Sequence, residues 1–238
     1  MARSPTFAPS SKGRLTARDL GRFPSESLFD RLGRAVCAAG CLPRKELFEA
    51  WEVARRTRRL FRGGRIVDLA AGHGLLAHVM LILDDTSPAA MAVDTTVPPS
   101  SAKLHQALLT VWPRLAGRVI VRASALNAVA LESSDVVVSS HACGALTDAV
   151  LDRASRVRAR VAVLPCCHDL ETCDAGDLTG WVDGPLAIDV VRAQRLRERG
   201  YRVWTQTISD AITPKNRLLL GAPADTAALA DAVEESAG

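Results

Sequence analysis

The stretch from Arg65 to Ala77 limits the folds open to this chain more than any other part of the sequence. Within it, the apolar run Ile66 to Leu69 predicts a buried strand, and Leu75 to Leu83 predicts a helix. Gly72 and Gly74 lie in the turn between them, where the absence of a Cβ allows a sharp bend and a close approach by a ligand. The free N–H groups and the positive dipole end of the helix would face that ligand. This pattern predicts a strand–turn–helix unit that binds a nucleotide-like cofactor.

Two acidic residues bear on which cofactor binds there. Gly72, Gly74 and Ala77 fit the dinucleotide fingerprint G-x-G-x-x-A. Asp68 ends the first strand, where its carboxylate would repel a pyrophosphate and attract the ammonium and sulfonium groups of S-adenosylmethionine. Asp94 ends a second predicted strand, where it can accept both hydroxyls of an adenosine ribose, as a NAD site would also require. The two acids together favour S-adenosylmethionine over a dinucleotide.

The same residues resemble the motif of class I S-adenosylmethionine-dependent methyltransferases, in the form Asp68-x-x-x-Gly72-x-Gly74 followed by Asp94. Many members of that family have glycine where Ala70 stands, and the Cβ of alanine narrows the conformations open to the turn. The resemblance implies contacts with S-adenosylmethionine from the glycine loop and from the ends of the second, third and fourth strands. These expected cofactor contacts are Asp68, Ala70, Gly72, His73, Gly74, Asp94, Ser124, Ser140 and His141.

Two further motifs follow the fourth and fifth predicted strands. The sequence reads His-Ala-Cys-Gly from His141 onwards and Pro-Cys-Cys-His up to His168. Together they resemble the HxCG and PCCH motifs of a group of methyltransferase domains related to the eukaryotic tRNA ribose 2′-O-methyltransferases, over residues 60–221. The resemblance implies RNA as the methyl acceptor, with the ribose 2′-oxygen as a candidate atom. No Asn-Pro-Pro-Tyr motif follows the fourth strand, which disfavours transfer to an amide or exocyclic nitrogen by that route.

His141 and His168 are the candidate catalytic residues. Transfer to an oxygen or a thiol requires removal of a proton, and histidine titrates close to neutral pH. We expect His141 to lie beside the cofactor and His168 on the acceptor side; a structural hydrogen-bonding role is the alternative for each. The loops after parallel strands should open on the same edge of the sheet. The expected acceptor contacts there are Cys166, Cys167, His168, Lys215, Asn216 and Arg217.

The cysteines raise the question of a metal. Adjacent Cys166 and Cys167 depart from the C-x₂₋₄-C spacing of zinc sites, since neighbouring side chains diverge. We therefore expect no metal and interpret these residues, with Cys143 and Cys173, as buried or substrate-loop thiols; a zinc site that draws on both loops is the alternative. All six cysteines are expected to be reduced, because the sequence starts without the apolar core of a secretory signal. No apolar run has the length of a membrane span, so we expect a cytoplasmic protein.

The positive charge is concentrated in the first part of the chain. Residues 1–65 carry fifteen Arg or Lys and six Asp or Glu, whereas residues 66–238 carry fifteen and twenty. Arg55, Arg56, Arg58 and Arg59 form the densest patch, in a predicted helix. Such a patch suits a polyanion such as RNA; the alternative is a solvated helix face in an arginine-rich chain.

The alternation of apolar runs and amphipathic stretches predicts a Rossmann-like doubly wound α/β fold. The last two of seven predicted strands are joined by too few residues for a crossover, so the last strand should be antiparallel. The predicted divisions are a flexible N-terminus (1–20), a helical N-terminal segment (21–62), a class I methyltransferase domain (63–221) and a tail (222–238).

Three alternatives to RNA methylation stay open at this point. A methyltransferase of this kind can act on a small molecule or a protein. The glycine loop also fits a NAD(P)-dependent oxidoreductase. A non-catalytic protein that binds the cofactor and holds RNA through its basic helices is the third.

Overall fold

Alternating apolar runs and amphipathic stretches give an α/β fold in the computed structural model, which describes residues 7–225. The strands are β1 (Ile66–Leu69), β2 (Ala90–Asp94), β3 (Val119–Ala123), β4 (Val136–Ser139), β5 (Arg160–Val163), β6 (Tyr201–Thr207) and β7 (Arg217–Pro223). The α-helices are α1 (Leu28–Ala39), α2 (Arg44–Leu60), α3 (Leu75–Ile82), α4 (Ser101–Val111), α5 (Ala145–Arg156) and α6 (Gly184–Glu198).

All seven strands join one sheet, in the order β3-β2-β1-β4-β5-β7-β6. Neighbours from β3 to β5 are parallel, and β7 runs antiparallel to both β5 and β6. The short loop between β6 and β7 leaves no room for a crossover helix, which is why this pair is antiparallel. The predicted Rossmann-like sheet with an antiparallel last strand is confirmed.

The strand order places a crevice beside β1. Strand β2 lies on one side of β1 and β4 on the other, so the chain switches direction across the sheet at this strand. Every residue of β1 and β4 is buried, since helices cover both faces of the sheet. The loops after these parallel strands leave the same edge, and ligands bind at such a switch point in open α/β sheets.

Residues 7–20 of the segment predicted as flexible contribute side chains to the core. In the described part of that segment, Leu15 is fully buried and the backbone of Arg14 bridges to Pro43. Phe7 contacts Phe23 edge to face, and a short 3₁₀-helix spans Ala17–Arg22. Leu15 and the rings of Phe7 and Phe23 pack this segment against the rest of the chain, although its sequence shows no helical or strand periodicity of apolar residues. Residues 1–6 of the predicted flexible N-terminus lie outside the described residues.

Helices α1 and α2 cover α4 and α3 and share one apolar core with the sheet. Helix α1 begins at a capping Ser27 and ends at Gly40, whose φ of 64° is left-handed. Arg58 of the predicted basic patch is not on the surface: it is 2% exposed and forms a 3.0 Å ion pair with Asp84. Arg58 faces the core because it lies on the side of α2 that packs against α3. The local run of arginines does not show which of them is buried.

The C-terminal boundary also differs slightly from the predicted one. Strand β7 continues to Pro223, two residues into the predicted tail, and Ala222 is buried. Residues 226–238 of that tail lie outside the described residues. Among the helices of residues 7–225, none combines the length and apolar character needed to cross a membrane.

Candidate functional site

The loop between β1 and α3 has the conformation that its glycines allow. Ala70, Gly72 and Gly74 have φ values of 58°, 53° and 79°, all in the left-handed region. A Cβ on Gly74 would lie 2.9 Å from the Cβ of Ala92 on β2, so glycine is required there for packing. A Cβ on Gly72 would meet no protein atom within 4 Å. Gly72 therefore faces open space at the sheet edge, where a ligand can approach the backbone.

Asp94 holds this loop from the end of β2. Its Oδ2 accepts a hydrogen bond of 2.9 Å from the backbone N–H of Gly72, and its Oδ1 accepts one of 3.2 Å from Thr96. The backbone N–H of Ser124 donates to the carbonyl of Asp94 over 2.9 Å. Three predicted cofactor residues from three strand ends are thus brought together.

Asp68 is more deeply buried than its predicted position facing the cofactor suggests. Its side chain is 1% exposed and turns toward α3, because Asp68 lies within a strand that is buried throughout. Its Oδ2 accepts a 3.2 Å hydrogen bond from the N–H of Ala77 in the first turn of α3, whereas its Oδ1 has no partner among the described residues. Burial, with a smaller contribution from the nearby Asp94, raises the pKa of this carboxyl to about 8, against the hydrogen bond from Ala77.

A small cavity beside the glycine loop collects three of the predicted cofactor residues. His73, Ser140 and His141 line it, together with two residues of α2 that were not predicted to belong to the site. The full lining is Glu46, Ala50, Ala71, His73, Leu75, Leu76, Ser140 and His141. Helix α2 therefore covers the loop, which extends the site into the N-terminal helical segment.

Two titratable groups, Glu46 and His141, line this cavity. Burial, and then repulsion by Glu49, raises the pKa of Glu46 to about 7. Burial lowers the pKa of His141, with Lys45 and His73 acting in the same direction and Asp94 opposing them. The His141 ring makes no hydrogen bond with the residues that the structure describes. The sequence does not mark Glu46 as a site residue, because a glutamate is common on the polar face of an amphipathic helix.

His168 lies in a buried ionic network instead of on an open surface. Its side chain is 3% exposed, and its Nε2 lies 2.8 and 2.9 Å from the two carboxylate oxygens of Asp189 on α6. Asp189 also accepts a 2.7 Å hydrogen bond from Nε of Arg217. Burial alone would raise the pKa of Asp189, but His168 and Arg217 together hold that pKa below its usual value. His168 and Arg217, predicted as acceptor contacts, thus both bind Asp189.

Arg192 extends the same network to the loop after β4. Its guanidinium is buried, donates to both carboxylate oxygens of Asp148 over 3.0 and 2.8 Å, and donates to the carbonyl of Gly144 over 3.0 Å. Arg192 and Asp189 come from α6, distant in sequence from both motifs, so no local pattern identifies them. The network fixes the two motif loops relative to each other.

Three thiols from these two loops lie close together. The Sγ atoms of Cys143, Cys166 and Cys167 all lie within 4.8 Å of one another, and those of Cys143 and Cys166 are 3.0 Å apart. Lys215, exposed in the loop between β6 and β7, interacts electrostatically with Cys143 and Cys167. Asn216 donates from Nδ2 to the carbonyl of Ile208, so it holds that loop closed.

Comparison with known families shows which family the chain belongs to. The sequence profile of a family described as "Methyltransferase domain" matches residues 52–172, about half of the chain. The match includes the glycine loop, Asp94 and both motif loops. The chain belongs to this methyltransferase-domain family. A comparison of this methyltransferase with curated proteins found no significant match.

Solved structures similar to this methyltransferase are distant in sequence. An O-methyltransferase family protein from Burkholderia thailandensis is 16% identical, with a TM-score of 0.46, over 86% of this chain and 67% of that one. The tRNA methyltransferase TrmK from B. subtilis is 16% identical, with a TM-score of 0.48, over 74% and 65%. The mitomycin 7-O-methyltransferase MmcR is 18% identical, with a TM-score of 0.48, over 86% and 60%. At such identities, the substrates of these proteins are not transferable to this chain.

Proposed function

We propose that this methyltransferase uses S-adenosylmethionine as methyl donor and RNA as acceptor, with the ribose 2′-oxygen as the candidate atom. The observation that carries the choice of donor is the unpartnered, buried Oδ1 of Asp68. The observation that supports an anionic acceptor is the set of cations around the crevice.

The residues at the sheet edge fit a cationic adenosine compound. A buried carboxylate oxygen without a partner is costly, and a nearby cation, in direct contact or through a water molecule, offsets that cost. S-adenosylmethionine carries such cations, and the open space in front of Gly72 suits a ligand lying against the backbone. Asp94, which already holds the glycine loop, presents a half-exposed carboxylate for ribose hydroxyls. A pyrophosphate would meet both acids with the wrong charge.

The chain's own contribution to the reaction is positioning, exclusion of water and control of one proton. S-adenosylmethionine, when bound, supplies a methyl group already activated on a sulfonium. Helix α2 covers the glycine loop and shields that edge from solvent. His141 lines the same cavity with its ring nitrogens uncommitted to the described residues, so it is our candidate to accept the proton of the acceptor hydroxyl. His168, bound to Asp189, orients the second motif loop.

Cations from three separate parts of the chain surround this edge. Arg14 interacts electrostatically with His73, Lys45 with His141, and Lys215 with Cys167. Arg14 and Lys215 are exposed, whereas Lys45 also pairs with Glu49 over 3.1 Å. Exposed cations that converge on a crevice favour an anionic acceptor, and the phosphates of RNA are spaced to meet several of them.

Binding measurements test the donor. Calorimetry with S-adenosylmethionine, S-adenosylhomocysteine and NADH is expected to show binding of the first two and not of the third. An Asp68→Asn variant should weaken binding of S-adenosylmethionine, because the charge that its cations meet is removed. Binding of NADH without binding of S-adenosylmethionine would refute the donor and restore the oxidoreductase alternative.

Methyl incorporation tests the acceptor. Donor labelled in its methyl group is offered with total RNA, protein and metabolite pools, and label is expected in RNA. The double variant Arg14→Gln/Lys215→Gln should bind RNA more weakly and with a salt dependence lower by about one unit per lost phosphate contact. Lys103→Gln on α4 is the matched control. Label in protein or metabolites, or RNA binding without any incorporation, would reject RNA as acceptor.

A further inference from the structure

We propose that Cys143, Cys166 and Cys167 bind a zinc ion, a site distinct from the proposed donor contacts. Their three Sγ atoms lie within 4.8 Å of one another. In a tetrahedral zinc site with Zn–S bonds of about 2.3 Å, two sulfur ligands are about 3.8 Å apart. The observed cluster therefore needs only small side-chain adjustments, chiefly a separation of Cys143 from Cys166, whose sulfur atoms are 3.0 Å apart.

The sheet itself brings these residues together. Strands β4 and β5 are parallel neighbours, with Ser139 opposite Val163, so their following loops leave the same edge side by side. The backbone N–H of Gly144 donates to the carbonyl of Cys167 over 3.2 Å and joins the two loops. Buried Arg192 binds the carbonyl of Gly144 and so fixes the first loop from behind. The ligands are thus held in place by backbone and by a buried guanidinium, as a metal site requires.

The objection that adjacent cysteines diverge does not hold for this backbone. In a strand, neighbouring side chains point to opposite faces. Cys166 and Cys167 come after β5 has ended at Val163, in backbone without regular secondary structure. There the alternation is not imposed, and both Sγ atoms turn toward Cys143.

The charge and ligand count point to a site with one open position. Three thiolates and Zn²⁺ carry a net charge of −1, which the nearby exposed Lys215 offsets. Within residues 7–225 no fourth cysteine, histidine or carboxylate joins the cluster: Cys173 contacts Arg192 over 3.6 Å, and His168 binds Asp189. The fourth position is therefore left to water or an added ligand, and Cys143 is exposed to admit it. Three protein ligands with one open position are typical of catalytic zinc sites.

Metal analysis of the full-length protein tests this proposal without reference to methylation. Protein purified under reducing conditions and dialysed against metal-free buffer is expected to retain one zinc per chain. Cys143→Ser, Cys166→Ser and Cys167→Ser should each weaken zinc binding at least tenfold in competition with a chromophoric chelator. Cys173→Ser, from the same loop but outside the cluster, is the matched control and should keep one zinc. Thermal unfolding of each variant shows that it is folded.

Cobalt gives an independent reading of the ligands. Cobalt added to the metal-free protein should produce intense sulfur-to-cobalt absorption and the visible bands of a tetrahedral site, and Cys167→Ser should lose most of both. The proposal is rejected if folded wild-type protein takes up neither metal. It is equally rejected if mass spectrometry of alkylated, non-reduced protein shows a Cys143–Cys166 disulfide under the conditions of the zinc measurement.

Discussion

At the scale of single residues, the buried carboxyl of Asp68 makes the glycine loop sensitive to pH. An unfolded aspartate ionises near pH ~4, whereas burial raises the folded pKa to about 8. Between these values the folded state holds a proton that the unfolded state has lost, so stability falls as pH rises. The slope is up to about 1.4 kcal/mol per pH unit.

Asp68→Asn removes this ionisation and is expected to stabilise the ligand-free protein. The variant's advantage in free energy of unfolding should widen as pH rises from 4 to 8 and then level off. Denaturant unfolding of both proteins across that range measures it. An advantage that does not change with pH would show that the pKa of Asp68 is not raised in the folded protein.

Gly72 and Gly74 serve different purposes although they are two residues apart. Both have positive φ, so alanine at either position costs roughly 1–2 kcal/mol in backbone strain. At Gly74 the new Cβ also lies 2.9 Å from that of Ala92, which adds about 1–3 kcal/mol of overpacking. We expect Gly74→Ala to lower the free energy of unfolding more than Gly72→Ala. Gly72→Ala should instead weaken binding of S-adenosylmethionine at least tenfold by calorimetry, since its Cβ projects into open space. Equal effects of the two variants on stability and on binding would contradict this division.

At the scale of elements, helix α6 secures the two motif loops through one buried side chain. Arg192→Met leaves Asp148 and the carbonyl of Gly144 without their partner, so we expect a loss of about 3–5 kcal/mol in the free energy of unfolding. Arg195→Met, three residues further along the same helix, breaks only an exposed 2.6 Å contact with Asp174. That control should cost less than about 1 kcal/mol. Comparable losses in the two variants, measured by denaturant unfolding, would mean that the buried network does not hold the loops.

The elements themselves were predictable because their signals are local. The glycine loop and Asp94 follow from spacing along one strand–turn–helix–strand stretch, and the structure places them in contact. Glu46 and Arg192 were not predictable, because their roles depend on which helix covers which loop. The divergence of Cys166 and Cys167 was expected from the alternation of side chains in a strand, and β5 ends before these two residues.

At the scale of the whole molecule, the N-terminal helices belong to the same core as the sheet. Leu32 of α1 and Leu76 of α3 lie in one apolar cluster, and Leu15 joins them from the segment predicted as flexible. Charge composition does not show which part of α2 joins this core, because a buried arginine and an exposed arginine look alike in sequence. Arg58 and Arg59 are neighbours in α2, yet Arg58 is buried against Asp84 and Arg59 is exposed.

This shared core predicts that the chain unfolds as one unit. Arg58→Met removes the buried ion pair with Asp84 and the donors to the carbonyls of Met80 and Phe61, so it should cost about 3–5 kcal/mol. For a chain of this length that lowers the melting temperature by roughly 6–20 °C. Arg59→Met should change stability by no more than about 0.5 kcal/mol. In calorimetric unfolding we expect a single transition that moves as a whole in Arg58→Met. Two transitions, of which only one moves, would instead divide the molecule into an N-terminal helical unit and a separately folding methyltransferase domain.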